Sequence, residues 1–150
     1  MPSAIPATLV DVEAHLRERI ATDGVHVVHL WAPWCDNSLR DLESGGWARL
    51  REQFPEASFA FVTVWNDDEE PGRTVLDGHG LADLPELVAQ GSGTHADKAS
   101  RVRTFLDHRL AWIPSTWIFN RNGERAFALD YGEMHEGTLA SLLNAAYGRW

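Results

Sequence analysis

The chain has 150 residues, 44% of them hydrophobic and 23% charged, which suits one domain with one core. A formal charge of -9 argues against a nucleic-acid partner, because a polyanion needs a basic stripe and the arginines here are interspersed with acids. No apolar run approaches the roughly 20 residues that span a bilayer, so no membrane partner is expected.

Thr8 is placed to cap a helix over about residues 9–21, with Asp11 three positions on and Leu9, Val12, Leu16 and Ile20 at helical spacing. Asp23-Gly24 stops it. The run from Val25 to Trp31 is apolar and β-branched, as a central strand requires. A helix follows Cys35 to about Glu43. Ser44-Gly45-Gly46 breaks it, and Trp47, Leu50 and Phe54 resume an apolar helical face up to Pro55. Residues 58–65 form the second clear strand, and the acidic run from Asp67 to Glu70 follows as a solvated loop. The spacing predicts a short helix within 81–88, entered through Pro85, and a further helix over 97–110 with Ala99, Val102, Phe105, Leu106 and Leu110 on its buried side. Residues 111–120 make a strand led in by Pro114. Asn122-Gly123 is the strongest hairpin signal in the chain, with residues 125–130 as the return strand. Gly132 breaks the chain, and a last helix runs over about 136–147. A helix joins the first two strands, which makes them a parallel βαβ unit, and a tight turn joins the last two. The expected fold class is therefore α/β: a mixed sheet flanked by helices, with a helical insert around 66–110.

Trp31-Ala32-Pro33-Trp34-Cys35 holds the one cysteine of the sequence. A single cysteine excludes an internal disulfide, so stability must come from packing and any disulfide must be made with another molecule. The default for a lone cysteine is an inert core residue. Its setting argues for reactivity, since a strand, a Pro turn and a helix start place the sulfur near unpaired backbone N–H groups, which favour the thiolate.

Two segments carry a family resemblance. Trp31-Ala32-Pro33-Trp34-Cys35 resembles the approach to the nucleophilic cysteine in the thioredoxin-like superfamily, and Ile113-Pro114-Ser115-Thr116 resembles its cis-proline segment. With Asn122-Gly123-Glu124 at the hairpin and extra material between 66 and 110, the pattern is most similar to TlpA/ResA-type thioredoxin-like domains. The resemblance implies a thioredoxin-like fold and thiol–disulfide exchange through Cys35. It also implies a groove shaped by Pro114, in which Ile113 offers backbone to a bound peptide and Trp34 forms an apolar shoulder.

Two departures bear on function. The family's Cys-x-x-Cys is Cys-x-x-Ser here, with Ser38 in the fourth position. A serine cannot attack a mixed disulfide, so turnover needs an external thiol such as glutathione, and Ser38 is left to donate a hydrogen bond to the thiolate. His29 stands where the family commonly buries an acid. It is either a hydrogen-bonded core histidine, the commoner case, or a modulator of the thiolate. Asp36 brings negative charge beside the sulfur while also suiting a helix start. His79, His95, His108 and His135 lack a compact ligand spacing, so neither a metal nor a cofactor is expected. Trp31, Trp65 and Trp117 are expected in the core, and Trp34, Trp112 and Trp150 either partly exposed at a binding surface or, equally, packed at an edge.

The expected partner is a disulfide- or thiol-bearing protein or a low-molecular-weight thiol. The competing expectation is a thioredoxin-fold module that binds or senses without turnover. No secretory signal is evident in residues 1–10, so a cytoplasmic location is expected. The oligomeric state stays open.

Overall fold

Two apolar strands set the architecture of the computed structural model, which describes residues 4–43, 45–66, 72–130 and 135–148. Strand β2 (His26–Trp31) is buried along its whole length, as is nearly all of β3 (Ser58–Thr63). They pair in parallel, Val27 opposite Phe59 and His29 opposite Phe61. The connection is two short helices, α2 (Asp36–Glu43) and α3 (Gly46–Gln53), with a left-handed Gly45 between them. A φ of 72° there is cheap for glycine and explains why the helical pattern breaks at that point.

Four more strands complete the sheet. β7 (Ser115–Phe119) runs antiparallel to β2 on its other side, and β8 (Arg125–Leu129) returns beside β7 through the Asn122-Gly123 turn. Asn120 Oδ1 fixes that turn by accepting from the backbone N–H groups of Asn122 and Glu124. Beyond β3 lie β4 (Glu86–Gln90) and, at the edge, β1 (Ala4–Thr8), both parallel to their neighbours. The order across the sheet is β1-β4-β3-β2-β7-β8. Helix α1 (Leu9–Ile20) packs on one face through Val12, Leu16 and Ile20. Its cap is Thr8, whose hydroxyl accepts from the Asp11 N–H at 3.2 Å. The other face is covered by α2, α3, α4 (Gly72–Asp77) and α5 (Glu136–Ala146). Alternation along β2 divides the two cores: Val28 and Leu30 face α1, while Val27 and Trp31 face the opposite helices.

The segment 66–110 departs from expectation in two places. Residues 86–90 are strand β4, not helix. Pro85 and Gly91 leave only five residues between them, too few for a stable helix and enough for a strand that two neighbours receive. Residues 97–110 are not a helix either. They form a single 3₁₀ turn at Lys98–Ser100, then a small hairpin of β5 (Thr104–Phe105) and β6 (His108–Arg109). Leu106 and Asp107 both carry positive φ at its tip, 51° and 66°, and the Leu106 N–H donates to Glu13 of α1 at 2.8 Å. Among its described residues the insert contains one short α-helix, α4, and is otherwise strand, turn and hairpin. The acidic run 67–70, Gly132 and Trp150 lie outside the described residues. No helix among the described residues is long and apolar enough to cross a membrane.

Candidate functional site

Sheet register assembles the site. On β2 and β7, His29 lies opposite Thr116 and Leu30 opposite Ser115. The residues that continue β2 beyond Trp31 therefore meet the residues that precede Ser115 on β7. Those are Ala32 to Cys35 on one side and Ile113-Pro114 on the other. The Ile113–Pro114 peptide bond is cis. The Cys35 thiol points at the Ile113 carbonyl oxygen, Sγ to O 3.9 Å.

Cys35 is half-buried and lies at the start of α2. Its own N–H donates to Ala32 O, and its carbonyl accepts the first α2 hydrogen bond, from the Leu39 N–H at 3.0 Å. Asp36 is the exposed first residue of that helix. Ser38 is fully buried, and its Oγ accepts from the Ala32 N–H at 3.4 Å. Among the described residues it makes no hydrogen bond to Cys35. In place of the expected donor to the thiolate, Ser38 is a brace between α2 and the turn that carries the cysteine.

Trp34 is half-buried beneath the insert. Its indole N–H donates to Trp65 O at 2.8 Å. The His95 ring stacks on it, centroids 3.9 Å apart and planes 11° from parallel. The Arg101 guanidinium carbon sits 5.2 Å from the Trp34 ring centre and 5.0 Å from that of Trp65, both within cation–π reach. Arg103 lies 5.8 Å from the Trp65 ring. Further bonds tie this cover down: Trp65 Nε1 to Val102 O at 3.0 Å, Trp65 N to Ser92 Oγ at 3.0 Å, and Val102 N to Ser92 O at 2.8 Å. Burial lowers the Arg101 pKa, the neighbouring Arg103 lowers it further, and the Cys35 sulfur acts in the opposite sense. His95, Arg101 and Trp65 are thus site residues that sequence reasoning missed. The helix expected over 97–110 gave no reason to bring Arg101 to Cys35.

His29 lies on the α2 side of the sheet, within the core. Its Nδ1 bonds Thr116 Oγ1 at 2.9 Å, and its ring packs against Trp47 and Phe61. Nε2 faces the buried Asp41 of α2 at 3.9 Å, beyond hydrogen-bond distance. Burial pushes the His29 pKa down to about 3, so the ring is neutral near pH 7. The structure brings His29 to the proline segment through Thr116 and shows no bond from it to Cys35. His108 packs against Trp117 and Phe119, and no group of three or more His, Cys, Asp or Glu is placed to hold a metal ion among the described residues.

No protein-family profile matches the chain, and no curated protein sequence matches it. Solved structures do. MTB DsbF, in its mixed oxidised and reduced forms, is 17% identical with a TM-score of 0.61, covering 83% of this chain and 82% of its own. A secreted Mycobacterium tuberculosis disulfide oxidoreductase homologous to E. coli DsbE is 16% identical with a TM-score of 0.60, covering 83% and 84%. A thiol:disulfide interchange protein of the thioredoxin family from Chlorobium tepidum is 12% identical with a TM-score of 0.60, covering 87% and 84%. The fold is thioredoxin-like.

Proposed function

We propose that the chain acts in thiol–disulfide exchange as a monothiol protein, with Cys35 as its nucleophile. The observation that supports this most is the meeting of a half-exposed Cys35 at the α2 start with the Ile113 carbonyl beside Pro114, while Ser38 fills the position a second thiol would need. Two of the solved structures of like fold are named a disulfide oxidoreductase and a thiol:disulfide interchange protein, which agrees with such chemistry. Cys35 as thiolate attacks one sulfur of a disulfide. The S–S bond breaks, a new one forms to Cys35, and the other half leaves as thiolate and takes a proton from water. Because Ser38 cannot displace the bound half, an external thiol attacks the mixed disulfide, releasing Cys35 and carrying the bound half away as a new disulfide. Trp34, Ile113 and Pro114 border the position of the attacked sulfur.

A second reading is a binding or sensing module in which the mixed disulfide accumulates. It is favoured by the insert, which stacks His95 and Arg101 over Trp34 and narrows the approach to the sulfur. One assay separates the two. Glutathione-coupled reduction of a small mixed disulfide is measured with the natural chain and with Cys35→Ala. Turnover that disappears in the variant supports the exchange enzyme. Equal rates refute it, and a single stoichiometric capture without turnover supports the sensor.

A further inference from the structure

Residues 98–109, the last part of the insert, place positive charge near Cys35 in a chain that is strongly acidic elsewhere. Residues 98–109 hold four cations, Lys98, Arg101, Arg103 and Arg109, against one carboxylate, Asp107, within a sequence of net charge -9. Five other arginines, Arg17, Arg49, Arg51, Arg73 and Arg121, find a carboxylate within 4.0 Å. None of the four cations in 98–109 does so among the described residues. Arg101 is held in place by its neighbours, with Nε donating to Thr94 O at 3.0 Å and Nη2 to His95 O at 2.7 Å. That arrangement leaves Nη1 without a protein acceptor among the described residues. Arg101 and Arg103 both lie within cation–π reach of the Trp65 ring, and the charge of Arg103 acts on that of Arg101. Beyond Arg103 an open hollow of about 560 Å³ is lined by Arg103, Thr104, Arg109 and Ala111. Ala111 stands two residues before Ile113, whose carbonyl meets the sulfur.

We propose that Arg101 and Arg103 form a carboxylate-binding shelf beside Cys35, and that the partner Cys35 takes is a low-molecular-weight disulfide or thiol bearing carboxylates. This rests on Cys35 exchanging thiols as proposed above. The Arg103 charge disfavours that of Arg101, and neither guanidinium has a carboxylate within 4.0 Å among the described residues to offset this. A carboxylate relieves that repulsion and matches the planar donor fork, which an uncharged disulfide does not. The hollow falls within the usual size range of small-ligand sites. The reaction is the exchange already written: the disulfide loses one half as thiolate and the other half becomes bonded to Cys35, its carboxylates resting on the shelf.

The test uses three disulfides as probes: glutathione disulfide, which is anionic; 2-hydroxyethyl disulfide, which is neutral; and cystamine, which is cationic. Rates of mixed-disulfide formation on Cys35 are measured by intact mass. Each is divided by the rate for the neutral model thiol N-acetylcysteine amide, which removes the intrinsic reactivity of the probe. The expected result is a roughly three- to tenfold normalised preference for glutathione disulfide over the neutral probe, with cystamine slowest. A preference for an anion by a chain of charge -9 requires local positive charge. It should shrink toward one as NaCl rises from low to high concentration, a readout that needs no variant. In Arg101→Gln/Arg103→Gln the ratio should fall to one or below, and in Arg101→Lys it should recover in part. A variant with Asp67, Asp68, Glu69 and Glu70 replaced by Asn and Gln should keep the ratio within twofold. A ratio near one in the natural chain, a salt-insensitive ratio, or a ratio unmoved by the arginine changes overturns the shelf while leaving exchange at Cys35 intact. A large gain in the acidic-run variant also overturns it, since the chain's own carboxylates would then be the shelf's occupants. Failure of Cys35 to react with any probe removes both the exchange reading and the shelf.

Discussion

The burial of His29 makes a quantitative claim about acid sensitivity. The ring is 1% exposed and its pKa lies at about 3, against 6.5 for a free histidine. The unfolded chain therefore binds a proton between pH 6.5 and 3 that the folded chain refuses. Stability contributed by the neutral ring is fully present above pH 6.5 and is lost as pH falls. With those two values, the loss between pH 7.5 and 5.0 is about 2 kcal/mol, rising toward ~5 kcal/mol well below pH 3. The perturbation is His29→Gln, which keeps a polar partner for Thr116 and carries no titrating ring. Its stability at pH 7.5 should drop by about 1–3 kcal/mol, from lost packing on Trp47 and Phe61. The decisive quantity is the slope. Urea unfolding at pH 7.5, 6.0 and 5.0 should show the natural chain losing about 2 kcal/mol more than the variant over that range. His26 and His108, whose pKa values burial also lowers, act equally in both proteins and drop out of the difference. Asp41 supplies the alternative outcome. If its carboxylate held a charged His29 as an ion pair across 3.9 Å, the histidine pKa would rise and acidification would not penalise the natural chain. Equal slopes in the two proteins would therefore refute the neutral, desolvated ring.

Three further outcomes follow from the same geometry. Ser38→Cys should form a 35–38 disulfide under mild oxidant, read by mass and by loss of free thiol, and should gain dithiol reductase activity. Absence of the bridge would show that the two positions at the α2 start do not face each other. Gly93→Ala should open the insert locally, because φ is +105° and the added Cβ would lie 2.7 Å from Ser100 O and closer still to Arg101 Cα. The cost is about 1–3 kcal/mol, visible as faster hydrogen exchange at the Val102 amide, which bonds Ser92 O, with little change at β2. Asn120→Ala should lower the urea-derived stability by about 1–3 kcal/mol, because its buried side-chain oxygen serves two backbone N–H groups in the β7–β8 turn. A loss below about 0.5 kcal/mol would mean that water satisfies them.

How much of this was legible in the sequence depends on where the specifying information lies. Strands β2, β3, β7 and β8 and helices α1, α2, α3 and α5 announce themselves locally, by apolar runs, helical spacing and the Asn-Gly turn. Two anchors of the site, Cys35 and Pro114, sit in short motifs on those strands, so their meeting follows once β2 and β7 are paired. The edge strand β1 escaped notice because Ala4 to Thr8 contains a proline and little apolar periodicity. An edge position tolerates that, since one side of the strand needs no partner. The hairpin β5–β6 escaped for a different reason. Its apolar residues fall at helical intervals by coincidence, and its turn is Leu106-Asp107, not the usual glycine pair. Leucine at positive φ is disfavoured on its own. It is held there by a bond from its N–H to Glu13, 93 residues away in sequence.

That long-range dependence also explains why the chemistry around Cys35 was only half visible. Cys35 and the proline segment are brought together by the pairing of β2 with β7. The charged neighbours come from an insert whose path is set by Trp65, Ser92 and Glu13 rather than by its own propensities. Trp65 shows the coupling most directly. It follows β3 with φ +56°, accepts the Trp34 indole N–H on its carbonyl, donates its amide N–H to Ser92 Oγ, and donates its own indole N–H to Val102 O. One residue thereby ties the cysteine turn, the end of β4 and the arginine segment together. A change that freed residues 91–110, beyond β4, would leave the paired strands β2 and β7 in place but remove the positive charge of Arg101 from beside Trp34. The attack site and its local electrostatics are thus separable. Ser38 belongs to the sheet-encoded part, bracing the turn before α2, while Arg101 and Arg103 belong to the segment held by Trp65 and Ser92.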